Sequence, residues 1–394
     1  MKKKTHSIWK VLMVLSLLPF LSACGAGAGQ SSANADFDPQ KDYFPNKVSI
    51  DHSIGFDVAY HSHYKLLHLF RHYNDVIDTV SYVLLQRGTP TPEAHASLPV
   101  IQVPIEKAVS MSTTQLGMFD MLDAFDQLKG IEIRQYVSNP KVIELVESGA
   151  ITEVAPAGSL NVETVINMGA EVVIGVGYPN SQNEAYQQLE RTGIPVLLNA
   201  DWQEKDLLGR AEWAKLIAVL LNKEALINEK FSAIEIEYNR VLAILDTDLK
   251  SIPTTITSIA KGDTWHVSGG RSFANHLLQL AKVNYPWNDD TSTGSLPLDF
   301  ETVYEIGLEA DFWMAPSNAK TLAEVLERDA RYADFKSFKN GNVFNVYGRY
   351  TEGGGNDYYE TGVVEPHVVL KDIVKIFHPE LLPDHSLVYH TRLK

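Results

Sequence analysis

The chain has 394 residues, a formal net charge of −15 and a single cysteine. The acidic balance argues against a nucleic-acid or anionic-membrane partner, and one cysteine excludes a disulfide framework and a CxxC metal knuckle. The length fits two domains or one bilobed unit.

The first predicted element is a secretory signal. Met1-Lys2-Lys3-Lys4 is positive, and Val11 to Leu21 is an apolar run too short to span a bilayer as a stable helix. Leu21-Ser22-Ala23-Cys24 resembles a bacterial lipoprotein cleavage signal, which implies that residues 1–23 are removed and that Cys24 becomes the lipidated first residue. Residues 24–41, rich in Gly, Ala, Ser, Asn and Gln, read as a flexible tether. No later apolar run is long enough to cross a membrane, so the lipid would be the only membrane contact.

Residues 42–222 are expected to form the N-terminal lobe, opening on a β-meander over 48–103. Phe56 to Tyr60, Tyr64 to Phe70 and Thr79 to Leu85 alternate or run apolar, and Arg87-Gly88-Thr89-Pro90 makes a loop. Strands and helices then alternate. Strands are expected at Val100–Val103, Ala108–Met111, Ile133–Val137, Glu171–Val176 and Ile194–Leu198. Helices are expected over Leu116–Gln127, Pro140–Glu147, from Asn161 and over Ser181–Thr192, with Asn161 a natural N-cap. This alternation predicts a parallel, doubly wound sheet.

From Leu207 to Asp246 there is no Pro, and apolar residues recur at helical spacing. One helix is expected to about Asn222 and a long connecting helix over 223–247. Alternation resumes in a C-terminal α/β lobe, 248–394, with strands at Thr254–Ala260, Asp311–Ala315 and Val343–Val346. Its helices are expected at Ser272–Ala281, Phe300–Leu308, Thr321–Glu327 and Gly362–Phe377.

Several segments then resemble the substrate-binding proteins of ABC importers for iron–siderophore complexes and cobalamin. They are Asn161 to Ile166 followed by Ala170 to Ile174, Leu189 to Val196, Asp299 to Val303 followed by Ala310 to Met314, and Phe335 to Val343. The resemblance runs from about Ser110 to Lys394; the β-rich opening is longer than the family's usual start. It implies an α/β fold of two doubly wound lobes joined by a single long helix, here with a β-rich N-terminal extension. It also implies capture of an iron chelate, cobalamin or haem-like solute between the lobes and delivery to an ABC permease. Glu163 and Glu301, near the starts of corresponding helices, match the glutamates that dock on permease arginines, a contact suited to bidentate pairing. The bland alternative is an acid at a helix N-terminus.

Ligands of doubly wound sheets sit beyond the carboxyl ends of the strands, so the loops after strands should line the cleft. This selects Tyr178, Trp202, Trp265, Tyr347, Arg349 and Tyr350, with Tyr358 and Tyr359 beside them, as an aromatic wall with an arginine facing an anionic chelate. Trp265 and Arg271 resemble the family's second-lobe ligand loop. The bland alternative is that some of these aromatics roof the core. Gly353-Gly354-Gly355 lacks the Lys-Ser/Thr of a phosphate loop and reads as a flexible cleft edge. His61, His63, His68 and His72 lie in the meander. His61 and His63 on one strand face could share a metal, but they read as surface histidines outside the two-lobe core. No catalytic elbow or His-Glu-x-x-His is present.

The expectation is a monomeric, lipid-anchored solute-binding protein in the periplasm or on the outer face of the cytoplasmic membrane, without a resident cofactor or metal and without catalysis. Three other readings stand beside it: a zinc- or manganese-binding importer component, a lipid-anchored hydrolase, and a structural envelope lipoprotein.

Overall fold

The computed structural model describes residues 37–394 except 74–75, 178–183, 248 and 250. The signal, Cys24 and residues 24–36 of the tether therefore lie outside the described residues. Residues 37–41, assigned to the tether, lie against the body instead. The Phe37 ring meets His63 edge-on at 4.9 Å, and the Lys41 ammonium sits 4.7 Å from the Tyr43 ring centre.

The extension is a four-stranded sheet. β1 (Phe56–Tyr60), β2 (Tyr64–Tyr73) and β3 (Val76–Gln86) form an antiparallel meander, and β4 (Val100–Val103) returns parallel to β3. Alternate residues of one face, among them Phe56, Leu67, Leu69, Tyr82 and Leu84, join the core of the first lobe. His61 and His63 are in the turn between β1 and β2 rather than on a strand face, and among the described residues no three His, Cys, Asp or Glu side chains converge as metal ligands.

The first lobe holds a parallel sheet of β5 (Ala108–Ser110), β6 (Leu128–Ile131), β7 (Thr152–Glu153), β8 (Val172–Val176) and β9 (Val196–Asn199), in the order β7-β6-β5-β8-β9. Its helices are α1 (Thr113–Met121), α2 (Pro140–Glu147), α3 (Val162–Asn167) and α4 (Glu184–Arg191). Side chains cap three of them: Ser112 accepts from Thr114 N, Asn139 from Lys141 N and Asn161 from Thr164 N. The strand expected at Ile133–Val137 is instead a short 3-10 turn at Arg134–Tyr136, and the strand precedes it. Both segments are apolar enough; the preceding one carries Gly130, whose bare Cα fits between Val109 and Val154.

α5 (Leu207–Glu212), α6 (Ala214–Leu221) and α7 (Glu224–Ile244) follow. α7 is the long connecting helix. Ile227 packs in the first-lobe core, while Phe231, Ile234, Tyr238 and Val241 pack in a second core with residues of the second lobe.

The second lobe contains β10 (Thr255–Thr257), β11 (Ala260–Lys261), β12 (Thr264–Ser268), α8 (Phe273–Leu280), β13 (Ser295–Asp299), α9 (Phe300–Gly307), β14 (Phe312–Met314) and α10 (Leu322–Leu326). α11 (Lys336–Lys339), β15 (Val343–Asn345), α12 (Thr361–Val364), α13 (Pro366–Phe377) and β16 (Thr391–Arg392) complete it. Its main sheet runs β10-β14-β15-β16, parallel except for β16, and β11-β12-β13 form a separate antiparallel sheet.

The extension is fastened to α5 and α6 by buried carboxylates. Glu212 accepts from the amides of Asp51, His52 and Ser53 at 2.7–3.2 Å and pairs with Lys215 at 2.7 Å. Glu204 accepts from Ile54 N, Gly55 N and the Trp213 indole at 3.0–3.2 Å. Lys65, fully buried in β2, donates to Val219 O, Asn222 Oδ1 and Glu224 Oε1 at 2.5–2.8 Å, and burial lowers its pKa to about 8.

Candidate functional site

In the first lobe the strand order reverses at β5, so the chain leaves β5 and β8 in opposite directions and opens a crevice at their carboxyl ends. Gln115 holds this point in place. Its fully buried amide accepts from Ser110 Oγ (2.8 Å) and Met111 N (3.1 Å) and donates to Gly175 O (3.3 Å). A cavity of about 370 Å³ opens there. Met111 and Ser112 follow β5, Glu132 follows β6, Ala155 and Gly158 follow β7, Val176 ends β8, and Asp201 and Trp202 follow β9. All five strand ends thus contribute, and Arg210 of α5 closes one side.

Asp201 is buried and ion-paired: Oδ2 lies 3.1 Å from Arg210 Nε, and Oδ1 accepts from Thr114 Oγ1 at 3.3 Å. The Arg210 guanidinium also lies 5.1 Å from the ring centre of Phe273, a second-lobe residue, so it bridges the lobes. Trp202 donates its indole N–H to Gly177 O at 2.9 Å, is 41% exposed and lines the cavity. Glu132, itself an exposed residue, also borders a small neighbouring pocket with Tyr136, which is 55% exposed; desolvation of its carboxyl by the surrounding protein raises its pKa.

A second cavity of about 360 Å³ lies between the lobes, with Ser138, Asn139 and Pro140 on one side and Arg349, Tyr350, Thr351 and Asp357 on the other. Arg349 Nη1 pairs with Asp357 Oδ2 at 3.1 Å. The backbones of the lobes close on each other beside it. A Cβ on Gly117 would overlap Glu360 O, and one on Gly355 would overlap Val137 O. Glu360 is fully buried in this seam, accepting from Ser138 N (2.8 Å), Ser138 Oγ (2.5 Å) and Asn139 N (3.2 Å). Burial pushes its pKa up to about 7.

The residues selected from the sequence divide. Trp202, Arg349 and Tyr350 line cavities, and Tyr347 packs edge-on against Tyr350 at 5.0 Å. Tyr178 lies outside the described residues. Trp265 is a correction: it is fully buried in the second-lobe core among Phe300, Trp313, Tyr332 and Phe335, and its indole donates to Thr257 O at 2.9 Å. It belongs to β12, whose alternation turns it inward, while His266 beside it is exposed. Arg271 is exposed and lines none of these cavities; its amide bonds Ser292 O at 2.9 Å. Tyr358 packs on Tyr389 and His390, whereas Tyr359 is 47% exposed. Glu163 and Glu301 are both exposed second residues of their helices, α3 and α9.

Arg210, Glu132, Tyr136 and Glu360 carry no local signal in the sequence. Arg210 sits in a stretch legible only as helix, and the partners of Glu360 are more than two hundred residues away.

Residues 109–349 match the model of the periplasmic binding protein family. The chain belongs to that family. It is 26% identical over 293 residues to an uncharacterized lipoprotein of Methanocaldococcus jannaschii, covering 71% of this chain and 67% of the relative. Among solved structures it is similar to a possible iron-binding (periplasmic solute-binding) protein from Staphylococcus epidermidis, with a TM-score of 0.53 and 14% identity over 69% of this chain and 98% of the other. It is also similar to a periplasmic heme-binding protein of Vibrio cholerae, with a TM-score of 0.51 and 17% identity over 68% and 99%. These likenesses establish the two-lobed fold. The family match begins at β5, so the extension lies outside it.

Proposed function

We propose that this periplasmic binding protein is a lipid-anchored, extracytoplasmic component of an ABC importer. It captures an iron chelate, a corrinoid or a haem-like solute in the cleft and presents it to the permease. The observation that carries the reading is the crevice at the switch point, to which all five strand ends of the first lobe contribute. The family match supports capture rather than catalysis. The solved neighbours whose titles name iron and heme support a metal-bearing solute. The lipoprotein relative supports the anchor read at Cys24.

Glu163 and Glu301 take the docking role. Each is exposed at the start of a helix that follows an Asn or Asp N-cap, in matching elements of the two lobes. Exposed carboxylates are suited to guanidinium partners.

The test is titration of the purified protein with ferric siderophores, cobalamin and haem, read by tryptophan fluorescence. Among the described residues Trp202 is the exposed indole and Trp287 is partly buried, whereas Trp213, Trp265 and Trp313 are fully buried. Saturable quenching by one solute, lost in Trp202→Phe and confirmed by calorimetry, is expected. Absence of binding to every solute in both assays overturns the proposal. Docking is tested by Glu163→Arg with Glu301→Arg, which should leave solute affinity unchanged and abolish uptake.

A further inference from the structure

One wall of the interlobe cavity is held from the other lobe. Ser138, Asn139 and Pro140 form its first-lobe side. The Asn139 side chain caps α2 through Lys141 N at 3.0 Å and reaches Asp120 of α1 at 3.1 Å. The Ser138 and Asn139 amides and the Ser138 hydroxyl donate instead to Glu360, which is fully buried. The sequence puts Glu360 in the second lobe, yet Val363 and Val364 just after it pack in the first-lobe core. The same carboxyl thus seats its own segment and sets the cavity wall.

The charged groups around this carboxyl are mostly committed to other partners. Asp357, in the turn before it, repels it and pairs with Arg349. Asp120 of α1 is bonded to Asn139 and has Lys141 of α2 nearby. Glu365, after α12, accepts from the Tyr389 hydroxyl and has His367 of α13 nearby. Arg210 of α5 is paired with Asp201. The tyrosines beside the seam, Tyr358, Tyr359 and Tyr389, have pKa values raised by burial and stay neutral. Among the described residues no ammonium or guanidinium bonds Glu360.

Burial without a counter-charge favours the neutral acid, and the pKa of Glu360 rises from 4.5 to about 7 against the pull of its three donors. If the seam parts, water reaches the carboxyl and the pKa returns toward 4.5. The seated arrangement therefore binds the proton more tightly. Its advantage is full below pH 4.5 and is lost as pH rises to about 7.

We infer that Glu360 is a positioning residue for the solute: it sets the Ser138–Asn139 wall of the interlobe cavity, and capture there takes up a proton at its carboxyl. The inference rests on the proposed capture between the lobes and adds a proton linkage to it.

Two probes that carry no titrating group between pH 5 and pH 8 test it: cyanocobalamin and a neutral ferric trihydroxamate. Affinity is measured by calorimetry across that range on wild type, Glu360→Gln and Asp120→Asn, with thermal melting as the folding control. Wild-type affinity should fall by at least about fivefold from pH 5 to pH 7, no more steeply than about tenfold per unit for one proton, and then level off. Glu360→Gln should flatten the profile, and Asp120→Asn should keep it. A flat wild-type profile, or one that Asp120→Asn removes and Glu360→Gln keeps, overturns the inference and leaves solute capture standing. Hydrogen exchange reads the wall without any solute. Corrected for intrinsic rates, protection of the Ser138 and Asn139 amides should decline from pH 5 to pH 7 in wild type and stay level in Glu360→Gln. Equal protection across this range in wild type overturns the inference. Failure of both probes to bind the folded protein counts against solute capture, and exchange then decides the positioning role by itself.

Discussion

The junction between the extension and α5, and the seam between the lobes, both bury a glutamate against backbone amides. At the junction, Glu212 accepts three amides and has Lys215 at 2.7 Å; nearby, Glu224 has Lys65 at 2.5 Å. At the seam, Glu360 accepts two amides and a hydroxyl from Ser138 and Asn139 and, among the described residues, has no cation beside it. A counter-charge favours the ionised form of a buried carboxylate; a carboxylate with dipoles alone is close to neutralising itself. The junction is therefore an ion-paired fastening that braces the helix carrying Arg210. The seam is a fastening whose strength depends on pH, placed where the lobes meet.

The largest break in this comparison comes from removing a cation at the junction. Lys65→Met leaves Glu224 buried and unpaired, and strands Val219 O and Asn222 Oδ1 as well. It should lower unfolding free energy by about 3–5 kcal/mol. Adding Glu224→Leu should restore most of this. A double variant no more stable than the single one in urea unfolding would show that the pair is not the fastening.

The seam responds to pH with a definite sign. The folded-state pKa of Glu360 is raised from 4.5 to about 7, mainly by burial, with Asp357 adding repulsion and the Ser138 and Asn139 donors opposing. The folded state thus binds the proton more tightly. The contribution is fully present below pH 4.5 and is lost as pH rises to about 7. Its size is on the order of 3 kcal/mol. Glu360→Gln should flatten this part of the stability curve relative to wild type, as measured by urea unfolding between these pH values. Equal slopes in the two proteins would place the titration elsewhere.

Steric closure of the seam is tested next. Gly355→Ala sets a methyl against Val137 O, and Gly117→Ala sets one against Glu360 O, so each should cost about 1–3 kcal/mol through displaced backbone. Gly353→Ala in the same loop meets only Thr351 Oγ1 at 3.9 Å and is the control, with a change within about 0.5 kcal/mol. Matching melting temperatures for Gly355→Ala and Gly353→Ala would mean the lobes do not close as described.

The contrast between regions also marks what the sequence disclosed. Periodicity located α7, because no breaker interrupts it, and β8, whose Val-Val-Ile-Gly-Val run is what a strand covered on both faces requires. It did not locate the antiparallel sheet β11-β12-β13, whose strands are short and lie on either side of α8. Trp265 was misplaced for that reason: aromatic identity beside a Gly-rich loop does not say which way a strand faces. The cleft loops followed from the strand ends, which are local. Arg210, Glu132 and Glu360 did not, because their significance comes from partners and cavities that only the tertiary fold assembles.

The smallest and most specific effect concerns Asp201 and Arg210, which are paired like the junction yet line the cleft. Asp201→Asn keeps an acceptor for Thr114 Oγ1 and removes the charge opposite Arg210 Nε. The cation so released faces the same cavity as Glu132. Affinity for a trianionic ferric tris-catecholate should then rise, and affinity for a ferric trihydroxamate that carries a free ammonium fall, each by up to about tenfold, equivalent to about 1.4 kcal/mol. Raising ionic strength should shrink both changes, because the cavity is open to solvent and its charges are screened. Opposite shifts for the two chelates are the signature of a charge effect. Parallel losses would instead show that the Asp201 side chain acts by positioning Thr114 and Arg210 around the cavity rather than through its charge.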